Sequence, residues 1–327
     1  MAKITVLGSG GWGMALAISA YNNRHNVTLW SPFEDEVAML TSKRTNEKLL
    51  RGVFLPEDIK ITSDLSVVKD DNLVIIATPS FAVRSVAKQL AEYKKDGIVV
   101  NVSKGFEKSS LKFLSDVIKE ELPKVNVVAL SGPSHAEEVA RNIPTSLVAT
   151  SVSLFAAQVV QDIMSSDTLR IYTSTDLTGV ELGGAMKNVI AIAAGFCDGL
   201  GLGDNTKAAL ITRGLAEMSR LGVAMGAKEY TFSGLTGIGD LVVTCTSRHS
   251  RNNRFGYKVG SGVSVKDALE QVGTVEGYYA TEIVYELSLK YSIELPIINE
   301  CYKVLYEERA VCDSVCNLMR RPTRSEH

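Results

Sequence analysis

The spacing of apolar residues changes once along this chain, near residue 175. Before that point, short apolar runs typical of buried strands alternate with stretches of helical spacing. Beyond it, strand-like runs nearly vanish. The first half predicts strands at residues 4–7, 27–30, 72–78, 97–102, 127–130, 146–150 and 169–173, and helices at 14–21, 35–41, 81–92, 111–121 and 154–164. The second half predicts helices at residues 177–195, 207–225, 235–243, 265–269, 281–291 and 296–307.

This alternation predicts an α/β fold that is followed by an all-α region. Continuous apolar strands separated by helices are typical of a doubly wound parallel sheet covered on both faces. A length of 327 residues agrees with two domains. We therefore expect an N-terminal domain at residues 1–175, an all-helical domain at 176–320 and a frayed tail at 321–327.

Three glycines follow the first predicted strand, in the sequence GSGGWG. Gly8, Gly10 and Gly13 form a G-x-G-x-x-G pattern between a strand and a helix, and a second strand follows. Gly8 suits a sharp turn, Gly10 has no Cβ to block a pyrophosphate, and Gly13 lets helix and strand pack closely. The helix N-terminus then directs N–H groups at the anion. The pattern favours dinucleotide binding in a Rossmann-like domain over a plain tight turn.

Further candidates follow the other strands of the predicted sheet. Ligands of such sheets bind beyond the carboxyl ends of the strands. That rule points to a set of residues that are far apart in sequence but each follow a strand: residues 10–12, Ser31, residues 79–80, Lys104 and residues 132–134.

Lys187 lies in the stretch GVELGGAMKNVIAIAAG, in which Glu181 is the only other charged residue. On a helix it shares a face with small residues, namely Gly183, Gly184, Ala191 and Gly195. One interpretation is a helix–helix contact, with the lysine reaching out to solvent. The other is a partly desolvated amine of lowered pKa that exchanges a proton near neutrality, which the scarcity of charge favours.

Two more candidates lie downstream of the lysine. Asp240 begins an apolar helical stretch, where helix capping is the ordinary role. The run SRNNR at residues 250–254 is dense in anion donors, because the arginine fork matches phosphate or carboxylate. A solvated loop is the alternative. The phosphorylated cofactor already implied makes an anion pocket at least as well supported.

Composition narrows the class of protein. A net charge of −2 gives no support to nucleic-acid binding. The five cysteines lack C-x-x-C pairs and zinc spacing, so neither a metal site nor disulfides are expected, and a reducing compartment fits. A first strand at residue 3 leaves no room for a signal peptide, and no apolar run is long enough for a membrane span. A cytoplasmic protein is expected.

These motifs together resemble the bacterial-type NAD(P)-dependent sn-glycerol-3-phosphate dehydrogenases over almost the whole chain. The resemblance implies reversible hydride transfer between dihydroxyacetone phosphate and sn-glycerol 3-phosphate, which supplies phospholipid synthesis. The motifs that carry it, in chain order, are GSGGWG (8–13), NVSKGFE (101–107), LSGPSHAEEVA (130–140), GVELGGAMKNVIAIAAG (179–195), GLGDNTKAALITRGLAEM (201–218), GLTGIGDLVVTC (234–245), SRNNRFG (250–256) and VEG (275–277).

The resemblance also implies roles for individual residues. Lys187 would exchange the proton at the carbonyl oxygen, and Lys104 and Asp240 would complete the catalytic set. The implied substrate-binding residues are Lys104, Gly132, Ser134, Lys187, Asp240, Ser250, Arg251 and Asn252. The implied cofactor-binding residues are Gly8, Gly10, Gly11, Trp12, Gly13, Lys104, Ala136, Arg251, Thr274 and Glu276, with no metal.

The chain departs from the family pattern at two positions. After the second strand the chain has Pro32 at a position where the family often has a basic residue. No acidic residue occupies the strand end, where it would hydrogen-bond the 2′-hydroxyl of NAD. Glu34 and Asp35 are expected on the following helix. The cofactor preference between NAD and NADP therefore stays open, and the resemblance to the family favours NADP. His135 follows Ser134, where an apolar aromatic is also common, and is read as a loop residue rather than an acid–base group.

Two other functions stay open at this point. Another two-domain dehydrogenase, of the β-hydroxyacid or ketopantoate-reductase type, also pairs a dinucleotide fold with a helical lysine. A non-catalytic nicotinamide-binding module is the second, although Lys104 and Lys187 argue against it.

The apolar helical half makes a homodimer the expected assembly.

Overall fold

The computed structural model describes residues 1–323, 325 and 326. Residue contacts divide the chain into a first unit, Met1–Glu181, and a second unit that begins at Leu182. The domain bounds of 1–175 and 176–320 expected from the sequence stay a prediction. Two residues of the predicted frayed tail, 324 and 327, lie outside the described residues.

One large sheet forms the centre of the first unit. The strands are β1 Lys3–Leu7, β2 Asn26–Trp30, β3 Lys60–Thr62, β4 Leu73–Ile76, β5 Gly97–Asn101, β6 Phe106–Glu107, β7 Lys112–Phe113, β8 Val125–Ser131, β9 Thr145–Thr150 and β10 Leu169–Ser174. The strand order of the large sheet is β10-β9-β8-β5-β4-β1-β2-β3, and β6 and β7 pair separately as a short hairpin. The helices are α1 Gly11–Asn22, α2 Glu34–Lys43, α3 Val83–Tyr93, α4 Leu114–Glu121, α5 Ala136–Val139 and α6 Leu154–Met164.

The sheet is buried on both faces, as its continuous apolar strands predict. In β4 all four residues are buried: Ile75 belongs to the apolar cluster that includes α1 and α6, while Val74 and Ile76 belong to the cluster that includes α3 and α4. The register pairs Leu7 with both Trp30 and Ile76, so β1, β2 and β4 end at the same level. The loops after these strands therefore share one edge of the sheet.

The sheet is predominantly parallel, but β9 pairs antiparallel with β8, which differs from the parallel sheet that we expected. The connection between them contains only α5, a helix of four residues. The chain turns back after this short helix instead of crossing to the other end of β8, so β9 begins near the end of β8, where Ser131 pairs with Val148. From β9 the long helix α6 allows a parallel crossover to β10.

Helices make up the second unit, and within its described residues no strand occurs. They are α7 Leu177–Gly199, whose first five residues belong to the first unit, α8 Asp204–Ala224, α9 Glu229–Phe232, α10 Asp240–Thr246, α11 Arg251–Gly260, α12 Val265–Val272, α13 Glu276–Lys290, α14 Pro296–Tyr306 and α15 Val311–Met319. A π-helical turn, Leu235–Gly239, leads directly into α10. Residues 251–254 lie in α11 with Ser250 as its N-cap, so the solvated-loop alternative is wrong.

Helix α7 is long and apolar enough to satisfy a length-and-composition criterion for a membrane span. Of its most apolar window, 94% is buried inside the protein, as in the core helix of a globular domain. In the part of the chain that the structure describes, no other helix satisfies that criterion.

All five cysteines are free thiols. Cys197, Cys245 and Cys301 are buried, whereas Cys312 and Cys316 are exposed on α15. Burial raises the pKa of the Cys197 thiol to about 11 and that of Cys245 to about 12, so both stay protonated.

Candidate active site

The glycine turn between β1 and α1 requires glycine for two different reasons. Gly8 has φ +120°, and a Cβ there would lie 2.7 Å from the carbonyl oxygen of Ala77. At Gly13 a Cβ would lie only 1.9 Å from the carbonyl oxygen of Gly8, so helix and turn are in backbone contact. Gly10 is different, since a Cβ there would meet nothing within 4 Å.

The start of α1 fits the pyrophosphate of a dinucleotide. Its N-cap is Gly10, which has no side chain to bond the first N–H groups of the helix. The empty space beside Gly10 lets an anion approach those groups directly. Gly11 lies against the backbone of Leu49, and a Cβ placed on Gly11 would be 3.9 Å from the Cβ of Ala136. Trp12 is half-buried beside them.

Glu36 is a residue of this region that sequence reasoning missed. It lies in the first turn of α2, where Glu34 and Asp35 also lie as expected. Its carboxylate accepts hydrogen bonds from the hydroxyls of Ser9 and Ser31. The only signal for it is a sequence distance of about 20 residues from the glycine turn, which is the spacing typical of an acid at the cofactor ribose.

Lys104, Gly132 and Ser134 are brought together at the carboxyl ends of β5 and β8. Lys104 Nζ donates to the carbonyl oxygen of Gly132 at 3.1 Å, and Ser134 Oγ donates to the same oxygen at 3.0 Å. Gly132 has φ +137°, which favours glycine there. His135 follows as the N-cap residue of α5, and its side chain does not cap that helix.

Lys187 is buried, at 6% exposure, and does not reach solvent. Its Nζ donates to the carboxylate of Asp240 and to Thr244 Oγ1, the latter at 2.8 Å. Asp240 is itself 1% exposed, so the two opposite charges compensate each other in a dry environment. The charged partner of Lys187 is Asp240, which lies 53 positions away along the chain. The sequence around Lys187 therefore gives no sign of this ion pair.

Asp240 does not cap a helix, contrary to the ordinary interpretation of its sequence position. The π-helical turn runs into α10 without a break, and the backbone of the N-cap residue Gly239 is already helical. The Asp240 carboxylate bonds Lys187 instead. Thr244, one turn later, also donates to the carbonyl oxygen of Asp240 at 2.6 Å, which fixes the hydroxyl that Lys187 contacts.

The small residues of α7 mark close helix contacts, as one of the two interpretations predicted. A Cβ at Gly195 would lie 2.2 Å from the carbonyl oxygen of Asn253, and one at Gly256 would lie 2.1 Å from that of Ile192. The backbones of α7 and α11 therefore touch. Gly183 makes a similar approach to Thr236 in the π-helical turn.

A second bond network joins α7 to the N-terminus of α11. Asn252 Nδ2 donates to Asn188 Oδ1 at 2.9 Å, and Asn252 Oδ1 accepts from the backbone N–H of Gly277 at 2.9 Å. Because Asn188 adjoins Lys187, this network links the lysine to the first turn of α11. The side chain of Asn252 thus connects α7, α11 and α13.

The other candidates of the second unit lie at the starts of α11 and α13. Ser250 is the N-cap of α11, where its hydroxyl accepts from the N–H of Asn253 at 3.2 Å. Arg251 is exposed at the first position of that helix. Thr274 is exposed just before α13, and Glu276 is half-buried at its first position.

Comparison with known proteins gives a consistent result. Residues 3–156 match the family model of the NAD-dependent glycerol-3-phosphate dehydrogenase N-terminus, and residues 176–315 match that of the C-terminus. A protein of Fusobacterium nucleatum named glycerol-3-phosphate dehydrogenase [NAD(P)+] is 48% identical, covering 100% of this chain and 99% of its own length.

A protein of the same name from Thermoanaerobacter sp. is 49% identical, with 99% and 98% covered. The crystal structure of glycerol-3-phosphate dehydrogenase from Coxiella burnetii superposes with a TM-score of 0.93 at 37% identity, covering 98% of this chain and 99% of that one.

Proposed function

Since this chain belongs to the NAD-dependent glycerol-3-phosphate dehydrogenase family, we propose that it reversibly reduces dihydroxyacetone phosphate to sn-glycerol 3-phosphate with NAD(P)H. One proton and one hydride are added to the ketone in that direction. The observation that carries the proposal is the buried Lys187–Asp240–Thr244 cluster, linked through Asn188 and Asn252 to the start of α11.

The residues that would hold the cofactor are those of the glycine turn. The open space beside Gly10 and the first N–H groups of α1 fit the pyrophosphate, and Gly11, Trp12 and Ala136 line the same region. When bound, the nicotinamide supplies or receives the hydride. Thr274, Glu276 and Arg251 of the second unit, and Lys104 of the first, complete the proposed set.

Lys187 is proposed to move the proton at the carbonyl oxygen of the substrate. As an ammonium it stabilises the negative charge that develops there and donates the proton. Asp240 and Thr244 hold its Nζ in place from one side, which orients the group before the substrate arrives. Proton transfer of this kind contributes about 10²–10⁴-fold to rate.

The start of α11 is proposed to bind the phosphate of the substrate. The Asn252 side chain is already hydrogen-bonded to Asn188 and Gly277. Asn252 would therefore offer the phosphate its backbone N–H at the helix N-terminus, as would Arg251. The exposed Arg251 guanidinium adds a charged fork that matches phosphate. Binding energy from this remote group then aligns the reacting carbonyl.

Lys104, Gly132 and Ser134 are proposed as a second group of substrate contacts. Lys104 and Ser134 both bond the carbonyl oxygen of Gly132, which holds an ammonium and a hydroxyl next to each other. An ammonium there adds positive charge beside cofactor and substrate.

We also propose that the protein supplies glycerophosphate for phospholipids, acts in the cytoplasm and forms a homodimer. The five free cysteines support a reducing compartment. Exposed apolar side chains of the helical unit, among them Val223, Tyr230 and Leu289, support an assembly through that unit.

The direct test is the initial rate of dihydroxyacetone phosphate reduction, measured with NADH and NADPH in parallel. We expect turnover with at least one of them. Turnover of a 2-hydroxyacid or ketopantoate-type substrate in its place would contradict the proposal, and so would nucleotide binding without any turnover.

Replacing Lys187 by Ala tests the proposed proton donor. We expect kcat to fall by about 10²–10⁴-fold, because the proton and the charge stabilisation are both lost. Binding of NADH, followed by fluorescence titration, should stay unchanged. The control is Lys290→Ala, an exposed lysine at the end of α13, which should leave both quantities unchanged. Wild-type turnover in Lys187→Ala would exclude the role.

A further inference from the structure

Glu36 is held at the end of β2 by two hydroxyl groups from separate parts of the first unit. Ser9 lies between Gly8 and Gly10 in the glycine turn, and its Oγ donates to Glu36 Oε2 at 2.6 Å. Ser31 follows β2 directly, and its Oγ donates to the same carboxylate oxygen. Both serines are buried, at 3% and 1% exposure. The carboxylate therefore occupies a fixed place between the glycine turn and the strand end.

That place matters because of how dinucleotide folds hold the adenosine ribose. An acidic side chain at the end of the second strand accepts hydrogen bonds from the ribose 2′-hydroxyl, and the same charge repels a 2′-phosphate. In this chain no acid occurs at the strand end itself, where Ser31 and Pro32 stand. Glu36 reaches the same point from the first turn of α2, and Oε1 is the oxygen that neither serine engages.

No basic side chain follows the strand to receive a 2′-phosphate there. Residues 31–42 contain no lysine, arginine or histidine. Lys43 lies seven positions after Glu36, about 10 Å along the axis of α2. The guanidinium of Arg44 donates to backbone carbonyl oxygens, those of Pro56, Glu57 and Ile59.

We propose that Glu36 selects the cofactor, so that this enzyme binds NAD(H) in preference to NADP(H). The inference rests on the proposed function, because it assigns a residue within the dinucleotide site. This preference for NAD(H) replaces the preference for NADP that the family resemblance favours. The residue that selects the cofactor, Glu36, lies on α2 and is positioned by the glycine turn; it does not belong to the strand.

Dissociation constants measured by titration calorimetry test the proposal without any turnover. The probes are NAD⁺ and NADP⁺, and the fragments 5′-AMP and adenosine 2′,5′-bisphosphate, which differ only at the 2′ position. For the wild type we expect the 2′-phosphorylated member of each pair to bind at least about tenfold more weakly. Added salt should narrow this ratio, because it screens the repulsion.

The variant Glu36→Gln keeps an oxygen acceptor for the serines and removes the charge. We expect it to narrow the NAD⁺/NADP⁺ affinity ratio by about tenfold or more, mainly by strengthening NADP⁺ binding. The matched control Glu34→Gln removes a charge from the same helical turn, where the side chain is exposed, and should leave the ratio unchanged.

The possible outcomes separate this inference from the proposed function. Equal or tighter binding of NADP⁺ by the wild type, or an unchanged ratio in Glu36→Gln, would overturn the selectivity role while leaving the dehydrogenase proposal intact. Failure of the wild type to bind either dinucleotide would contradict the proposed function as well. The fragment comparison needs only the wild type, so it tests the predicted preference against a 2′-phosphate even if the variant does not fold.

Discussion

The N-termini of α1 and α4 lie in the same unit and are satisfied in opposite ways. At α4 the carboxyl group of Glu181, from α7, accepts from the backbone N–H of Ser115 at 3.0 Å and from the Ser115 hydroxyl. At α1 the N-cap is Gly10, and the space beside it is open. The N-terminus of α4 is filled by a side chain of the protein itself, and that of α1 is the one that we propose binds the pyrophosphate.

The second unit repeats this difference. The N-terminus of α14 is filled by the buried Glu217, which accepts from the N–H groups of Ile297 and Ile298 at 2.8 and 3.2 Å. At α11 the Ser250 hydroxyl takes only the N–H of Asn253, and an exposed arginine follows. The N-termini of α4 and α14 each carry an internal carboxyl group, whereas the two that we assign to ligands do not.

The largest effects should come from the glycines of α1. Gly13→Ala places a Cβ 1.9 Å from a backbone oxygen, so we expect it to lower the free energy of unfolding by about 3 kcal/mol or more. Gly10→Ala adds the same methyl group to open space, on a backbone that any residue adopts. It should keep its stability in denaturant titration but bind NADH about tenfold more weakly or worse. Loss of stability at Gly10, with normal binding, would contradict the assignment.

The filled N-terminus of α4 should make stability depend on pH. Burial raises the pKa of Glu181 to about 7, above its usual value of 4.5, so the folded protein holds a proton that the unfolded chain releases. The free energy of unfolding should therefore fall as the pH rises from about 4.5 to about 7, by up to about 3 kcal/mol. Chemical denaturation at pH 5 and pH 8 measures this loss.

Glu181→Gln should remove that part of the pH dependence, because an amide keeps both contacts to Ser115 and cannot ionise. At pH 8 the variant should equal or exceed the wild type in stability. The control Glu92→Gln changes an exposed carboxylate of α3 and should retain the wild-type slope. Part of the slope should remain, because burial also raises the pKa of Glu217 to about 7. A slope as steep in Glu181→Gln as in the wild type would contradict the contribution of Glu181.

The start of α11, where we propose that the substrate phosphate binds, should show the smallest effect. Arg251→Ala should raise KM for dihydroxyacetone phosphate by about 10–100-fold, because a charge-assisted phosphate contact is lost, while Tm changes little at an exposed position. Arg254→Ala removes an exposed arginine from the same helix and should leave KM unchanged. Equal effects of the two substitutions would indicate general electrostatics rather than a phosphate site.

Local spacing was sufficient to predict most of the fold. Short segments rich in apolar residues located β1, β2, β4, β5, β8, β9 and β10, and α6 begins and ends where its pattern predicts. The three-residue β3 and the two-residue strands β6 and β7 were missed because they are too short for periodicity. Strand direction was missed at β9, since alternation along a strand carries no information about which way it runs.

The site was predictable where it depends on a local motif and not where it depends on distant partners. The glycine turn follows from residues 8–13 alone. The pairing of Lys187 with Asp240, and the reach of Glu36 to Ser9, depend on packing that sequence proximity does not reveal. Helix α11 was left open because SRNNRFG has few apolar residues; its buried Phe255 and Val259 and its glycine contact with α7 hold it in place.

The backbone contact between α7 and α11 has a consequence for substrate length. Main-chain atoms at Gly195 and Gly256 set the separation of these helices, so core side chains cannot adjust it. The reach from the Lys187 amine to the first turn of α11 is fixed in the same way. If Lys187 and the start of α11 bind the two ends of the substrate, as we propose, a phosphorylated ketone with a longer carbon chain should fit less well, and the helix crossing would set the length of the molecule that is reduced.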